Sequence, residues 1–86
     1  MYTTELTVSN KLGLHARPAA ELTVLCQKYS SEVTILTENK RANPKSVISI
    51  LSLGIKQGTK IVLKIEGEDE KQAGEAIANF IANLKE

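Results

Sequence analysis

The sequence is poor in the residues on which several common classes of small protein depend. It has no tryptophan, one phenylalanine and two tyrosines, and no predicted strand carries two aromatic side chains on which nucleotide bases could stack. Its formal net charge is +1, which supplies no general attraction to nucleic acid or to anionic lipid. We therefore expect no nucleic-acid partner, and any anion that the chain handles must be held by a local site.

Cysteine and histidine are equally scarce. Cys26 is the single cysteine, so it cannot form a disulfide within the chain, and its spacing in a predicted helix indicates a small buried hydrophobe. His15 is the single histidine, and one histidine with one cysteine supplies too few ligands for a metal site. We expect neither a metal nor another cofactor.

Long apolar runs are also missing. The longest, residues 47–53, is interrupted by Ser49 and Ser52 and is too short to span a bilayer. The first residues lack the basic and apolar segments of a signal peptide. We therefore expect a cytoplasmic protein with no membrane insertion. Its 86 residues, 42% hydrophobic and 24% charged, predict one globular domain over 1–86.

Hydrophobic periodicity predicts seven elements in the order βαββαβα. Alternation at period two indicates strands, and spacings of three and four indicate helices. The predicted strands are 2–9, 32–37, 40–43 and 60–66, and the predicted helices are 16–28, 46–53 and 70–85. Because each alternating strand has one apolar face, the long helices should cover one face of an antiparallel sheet. The fold class is therefore α+β, with two layers.

Local signals refine these elements. Ser46 is the natural N-cap of the second helix, and Gly54 can close its C-terminus. Asn39 suits a positive φ in a two-residue turn at 38–39. Gly74 costs about 1 kcal/mol relative to alanine inside a helix, which indicates close packing against a neighbour. Asp69 lies at the positive end of the last helix.

His15 stands where a loop ends and the first helix begins. A helix N-terminus carries unpaired N–H groups and about half a positive charge, which together bind anions. The amides of Ala16 and Arg17 are the expected donors, and the Arg17 guanidinium can pair with phosphate oxygens. A free imidazole has a pKa of about 6.5, so much of it is neutral and nucleophilic at cytoplasmic pH. Gly13 should bend the backbone and let a partner approach closely.

Other interpretations remain open from these residues alone. A surface histidine that merely caps the helix is the simplest of them. The residue types also allow a hydrolytic Ser/His/Asp arrangement, although nothing in the sequence pairs a nucleophile with a pocket.

Two motifs together resemble one known family. Residues 14–19, LHARPA, are similar to the active-site signature of the HPr family, the phosphocarriers of the bacterial phosphoenolpyruvate-dependent sugar phosphotransferase system. Residues 43–47, NPKSV, followed by Leu53 and Gly54, are similar to the regulatory serine signature of that family. The separation of the motifs and the element order of nearly the whole chain resemble the family as well.

The resemblance implies an open-faced β-sandwich, in which four antiparallel strands carry three helices on one face. His15 would accept a phosphoryl group on Nδ1 from phosphorylated enzyme I and donate it to sugar-specific enzyme II A components. Arg17 would steady the phosphohistidine, and Ser46 would be the target of an ATP-dependent HPr kinase/phosphorylase. Lys45 could pair with phosphate on Ser46 or be solvated. The implied protein is a monomeric carrier and not an enzyme.

The second predicted helix carries more apolar side chains than one face can bury. Ile50 is expected in the core and Ile48 on a partner surface. The pattern leaves Val47 and Leu51 open. In the family this helix docks on enzyme I and the A components, so the resemblance adds Val47, Leu51 and Ala20 to the expected partner surface.

Three departures from the family pattern bear on regulation. Pro44 stands where leucine or alanine is common, while Val24 and Gln27 replace basic residues of many Gram-positive members. These replacements weaken any inference that the chain binds a catabolite-control transcription factor. Two alternatives to sugar transport follow: a mainly regulatory module acting through Ser46, and a carrier in a nitrogen-related phosphotransfer branch. The presence of His15 argues against the first, and the sequence does not separate the second.

Overall fold

Seven elements follow one another in the predicted order along residues 1–85, which are the residues that the computed structural model describes. The helices are α1 (Ala16–Gln27), α2 (Val47–Leu51) and α3 (Glu70–Ala82). The strands are β1 (Tyr2–Thr7), β2 (Glu32–Leu36), β3 (Arg41–Ala42) and β4 (Lys60–Glu66).

The four strands form one antiparallel sheet in the order β1-β4-β2-β3. β4 lies between β1 and β2, and the short β3 pairs with the end of β2 only. α3 packs on β1 and β4, while α1 packs on α2 and α3. The three helices lie on one face of the sheet, which confirms the α+β open-faced sandwich.

The alternation of β4 shows how the sequence builds the two faces. Ile61, Leu63 and Ile65 are fully buried, whereas Lys60 and Lys64 on the other face are exposed. The helical layer completes the core, and Ile50 of α2 is fully buried as expected. The largest fully buried side chains of α1 and α3 are Leu22, Ile77 and Ile81.

All three helices end earlier than predicted, α1 by a single residue and the other two by more. α3 stops at Ala82 instead of 85. The Asn79 carbonyl accepts both the backbone amide of Asn83 at 3.1 Å and its side-chain amide at 2.7 Å, and the next amide, that of Leu84, turns to the Ile81 carbonyl at 3.3 Å. α2 has five residues, and its predicted continuation is a turn in which the amide of Leu53 donates to the Ile50 carbonyl at 3.1 Å. The next residue, Gly54, has a φ of +62° and ends this segment.

The turn between β2 and β3 differs from the expectation for Asn39. Thr37 N–H donates to the Lys40 carbonyl at 2.8 Å, so the loop has two residues as predicted. Among residues 1–85, however, every positive φ belongs to a glycine, so the positive φ expected at Asn39 was wrong. The Thr37 hydroxyl accepts the Lys40 amide at 3.2 Å and stabilises the turn, which therefore needs no residue with a positive φ.

Candidate functional site

His15 is the N-cap of α1. Its backbone is extended, with φ −78° and ψ −172°, and its carbonyl accepts the first helical hydrogen bond from Ala19 N–H at 3.0 Å. Its side chain makes no capping hydrogen bond to the helix. The residue is partly exposed, but its Nε2 atom has less than 1 Å² of exposed surface. This geometry disfavours the simple alternative of a histidine that only caps the helix.

Ala16 and Arg17 form the exposed start of α1. Their amides precede the first i→i−4 bond of the helix, which Ala19 makes, and Pro18 has no N–H to offer. Arg17 also lines a groove between α1 and the C-terminal end of α3, beside Asn83. The expected anion donors therefore stand next to the imidazole at the positive end of a twelve-residue helix.

The loop before His15 is held by hydrogen bonds at both ends. Gly13 N–H donates to the Asn10 carbonyl at 3.2 Å, and Asn10 Nδ2 donates to the Gly13 carbonyl at 2.8 Å. Leu14 N–H donates to the Ile55 carbonyl at 3.2 Å. Leu14 and Asn10 are both buried.

The backbone bend expected at Gly13 is confirmed, but the close approach of a partner protein expected there was wrong. Gly13 is buried and has a φ of +64°, and a Cβ there would collide with the carbonyl of Ile55. The close approach that needs glycine is therefore made by the chain's own segment 55–56, not by a partner protein. The sequence could show that a glycine was needed but not which backbone lies against it.

Ser46 is the N-cap of α2, as predicted. Its hydroxyl oxygen accepts the Ser49 amide at 3.3 Å, and the residue is exposed. The neighbouring Lys45 is half-buried, and its Nζ donates to the carbonyl of Tyr29 at 3.0 Å. Gln27 Nε2 donates in turn to the Lys45 carbonyl at 3.3 Å. These bonds tie the start of α2 to the end of α1.

The side chains expected on the partner surface are mostly exposed. Ile48 is 80% exposed and Leu51 is 43% exposed. Ala20 is exposed as well, whereas Val47 is only half-buried and packs against the core.

The same exposed surface continues along α1. Ala16, Ala20 and Val24 follow one another at a spacing of four and are all exposed, so they form one stripe of the helix. Gln27, the next exposed residue of that stripe, contacts the start of α2. Val24, 59% exposed, was not among the predicted partner residues, although its spacing from Ala16 and Ala20 could have indicated it. We call Ala16, Ala20, Val24, Ile48 and Leu51 the apolar surface.

Cys26 lies in the core. Burial raises the pKa of the Cys26 thiol to about 12 against a smaller opposing effect of the Lys45 charge, and the side chain is fully buried.

Within residues 1–85, no three His, Cys, Asp or Glu side chains are grouped closely enough to hold a metal ion. No helix in the same range is long and apolar enough to cross a membrane.

Comparison with known proteins shows which family the chain belongs to. Residues 2–83 match the PTS-HPr family model, which describes the phosphorylation site of the HPr component of the phosphotransferase system. The chain belongs to the HPr family. Its general activity is therefore that of an HPr phosphocarrier of the phosphotransferase system.

Relatives match in sequence and in structure over almost the whole chain. Phosphocarrier protein HPr of Lysinibacillus sphaericus is 42% identical over 84 residues, which cover 98% of this chain and 96% of the relative. The crystal structure of an HPr from Thermoanaerobacter tengcongensis is 40% identical with a TM-score of 0.91, covering 95% of this chain and 92% of that one. The catabolite repression protein Crh of Bacillus subtilis, solved as an intertwined dimer with a swapped domain, is 32% identical with a TM-score of 0.78, covering 100% and 99%.

Proposed function

We propose that His15 accepts a phosphoryl group on Nδ1 from phosphorylated enzyme I and donates it to sugar-specific enzyme II A components. The Nδ1 lone pair forms the new N–P bond as the bond between phosphorus and the donor atom of enzyme I breaks, and that electron pair stays with the donor. The observation that carries the proposal is the position of a partly exposed imidazole at the N-terminus of α1.

The choice of ring nitrogen rests on access. Nε2 has less than 1 Å² of exposed surface, whereas a phosphoryl donor must reach the attacking atom in line with the bond that breaks. The enclosure of Nε2 therefore favours Nδ1 as the nitrogen that takes part in transfer, in agreement with the resemblance to the HPr family.

Arg17 and the first amides of α1 supply the charge that the phosphoryl group needs. A phosphohistidine carries negative oxygens, which the N-terminal amides and the helix dipole stabilise. The exposed Arg17 guanidinium can add a pair of parallel hydrogen bonds. We assign the amides of Ala16 and Arg17 and the side chain of Arg17 to holding the transferred phosphoryl group.

The direct test is intact mass after incubation with phosphoenolpyruvate and enzyme I. We expect one added phosphoryl group that is labile in acid on the wild-type protein and none on His15→Ala. Because His15 lies at the end of a loop, His15→Ala should keep the far-ultraviolet circular dichroism of the wild type. Equal labelling of both proteins would remove His15 from the mechanism, and no labelling of the wild type beside an active control HPr would remove phosphoryl acceptance itself.

The apolar surface is proposed to dock enzyme I and the A components. Exposed apolar side chains concentrated on two neighbouring helices are typical of partner surfaces, and those of α1 begin one residue after His15. Ile48→Glu should raise the KM for phosphorylated enzyme I and leave the hydrolysis rate of the phosphohistidine unchanged. Thr3→Glu introduces the same charge at an exposed position on the opposite face of the sheet and should leave both quantities unchanged.

Ser46 is proposed as a regulatory site for an ATP-dependent HPr kinase/phosphorylase. Its hydroxyl is exposed at the N-cap of α2, directly before the half-buried Val47 and the exposed Ile48. A phosphate there would bring about two negative charges to the edge of the docking surface, which should repel acidic partners. The likeness to Crh favours a regulatory role as a second function, and the test at His15 separates a purely regulatory protein from a carrier.

A further inference from the structure

We propose that Asn10 is a positioning residue for His15, because its side-chain amide fixes the peptide group through which the chain enters α1. This inference rests on the proposed phosphoryl transfer at His15. Asn10 lies five residues before His15, outside the LHARPA motif, in the loop between β1 and α1.

The first observation is that both polar groups of one peptide are bound. The carbonyl of Gly13 accepts from Asn10 Nδ2 at 2.8 Å. The N–H of Leu14, which belongs to the same peptide group, donates to the Ile55 carbonyl at 3.2 Å. Because a peptide group is planar, bonds on opposite sides fix its orientation.

The second observation is that Asn10 closes this loop twice. Its own carbonyl accepts Gly13 N–H at 3.2 Å while its side chain holds the Gly13 carbonyl. Asn10 is 5% exposed, and hydrogen bonds that water cannot easily replace are costly to lose. The Asn10 side chain is therefore part of the buried structure that holds the loop in one conformation.

The third observation is that His15 is fixed from the other side by its helix. The His15 carbonyl accepts Ala19 N–H at 3.0 Å. The residue between the bound peptide and the helix, Leu14, is buried. His15 therefore has little backbone freedom, and Asn10 shares with the Ile55 carbonyl the part of this restraint that comes from outside α1.

Fixed placement matters for this chemistry because phosphoryl transfer depends on alignment. Displacement of a reacting group by about 1 Å can slow a reaction by about 100-fold. Loss of the Asn10 amide should therefore reduce the rate of transfer within the complex more than the binding of enzyme I, since Asn10 is buried and offers no docking contact.

The test uses Asn10→Asp with Gln57→Glu as its matched control. Asn10→Asp keeps the shape of the side chain and replaces the N–H donor by an acceptor that repels the Gly13 carbonyl. Gln57→Glu makes the same change in the same pair of loops, where Gln57 Nε2 donates to the Ser9 carbonyl at 3.0 Å and is exposed. Rapid-quench measurement of phosphoryl acceptance at several concentrations of phosphorylated enzyme I gives the maximal rate and the half-saturating concentration separately.

We expect Asn10→Asp to lower the maximal rate by about tenfold or more, with a half-saturating concentration within about twofold of the wild type. Gln57→Glu should change neither quantity. Asn10→Ser, which retains a shorter donor, is the second variant. If Asn10→Ser and Asn10→Asp both remain folded by circular dichroism, the maximal rate of Asn10→Ser should lie between those of Asn10→Asp and the wild type.

Three results would contradict either the positioning role of Asn10 or the proposed function of His15. A wild-type maximal rate in folded Asn10→Asp, or in folded Asn10→Ser if the aspartate variant does not fold, overturns the role of Asn10 and leaves the function of His15 intact. An equal loss in Gln57→Glu also overturns it, because the effect is then general to the loops. If wild-type protein accepts no phosphoryl group from active enzyme I, the proposed function itself fails.

Discussion

The carboxylate of Asp69, the residue before α3, binds Ser31 at the start of β2. It accepts the Ser31 amide at 3.0 Å, the Ser31 hydroxyl, and the Ser30 amide at 3.0 Å. Its side chain does not cap its own helix. Asp69 therefore joins the connection between α1 and β2 to the connection between β4 and α3, and so links the element that carries His15 to the far end of the sheet.

This bond predicts an acid-dependent stability. The Ser31 hydroxyl, followed by the Ser30 amide, lowers the pKa of Asp69 below its ordinary value of 3.8. A carboxyl with a lowered native pKa contributes stability above its ordinary pKa and loses it as pH falls through the native value. Urea unfolding of the wild type from neutral pH into acid should therefore show a loss of stability below about pH 4 that is shallower in Asp69→Asn.

Glu68→Gln is the control for this measurement, because it removes a charge from the neighbouring exposed residue. It should keep the acid slope of the wild type. Parallel pH profiles for the wild type and Asp69→Asn would contradict the assignment of the slope to the bond with Ser31.

Gly74 of α3 should resist replacement by alanine, although alanine is the better helix former. A Cβ at this position would collide with the ring of Tyr2. Overpacking costs about 1–3 kcal/mol against a gain in helix propensity of about 1 kcal/mol. Gly74→Ala should therefore lower the free energy of unfolding by about 1 kcal/mol. In a Tyr2→Ala background the same change should be stabilising, and a loss in both backgrounds would assign the cost to something other than the ring.

Substitutions of Ser46 should affect the stability of the protein and the rate of phosphoryl transfer differently. Ser46→Ala removes the acceptor for the Ser49 amide and should lower the free energy of unfolding by about 1 kcal/mol. Ser46→Asp retains a capping oxygen and should stay within about 0.5 kcal/mol of the wild type, yet slow phosphoryl transfer through His15 by about tenfold. Chemical denaturation and transfer kinetics on the same samples test both halves. An unchanged transfer rate in Ser46→Asp would show that the second site does not oppose the first.

Cys26 should be inert in the folded protein. Burial raises the pKa of its thiol from 9.0 to about 12, which reduces the thiolate fraction near neutral pH by about 1,000-fold. Alkylation by iodoacetamide at pH 8 should be slow in buffer and rapid in urea. The free energy of unfolding should also depend on pH in the alkaline range. Because the thiol ionises at lower pH in the unfolded chain than in the folded one, stability should fall as pH rises above 9.0. Rapid alkylation of the native protein would contradict the buried position.

Local patterns were sufficient for most of the fold. The bounds of β4 were predicted as observed, since Ile61 and Leu63 alternate with exposed lysines. The position of His15 at a helix N-terminus was also predicted, because the change from loop composition to helical spacing occurs at that residue. Both features depend on residues within a few positions of one another, which is the range over which periodicity carries information.

Contacts between distant segments could not be predicted in this way. Asp69 lies 38 residues from Ser31, and the sequence interpretation related it only to the dipole of its own helix. Lys45 donates to the carbonyl of Tyr29, a contact that the sequence did not indicate. The same limit applies to the loop before His15, where the Leu14 amide donates to the carbonyl of the distant Ile55.

The most direct test of the account is a nitrogen-15 NMR spectrum of the His15 ring before and after phosphorylation. Protein labelled with nitrogen-15 would be treated with phosphoenolpyruvate and enzyme I and followed until the change is complete. We predict that the resonance of Nδ1 acquires coupling to phosphorus and that Nε2, the enclosed nitrogen, does not. Coupling at Nε2, or a phosphoryl group on any other residue with the His15 ring unchanged, would contradict the central claim.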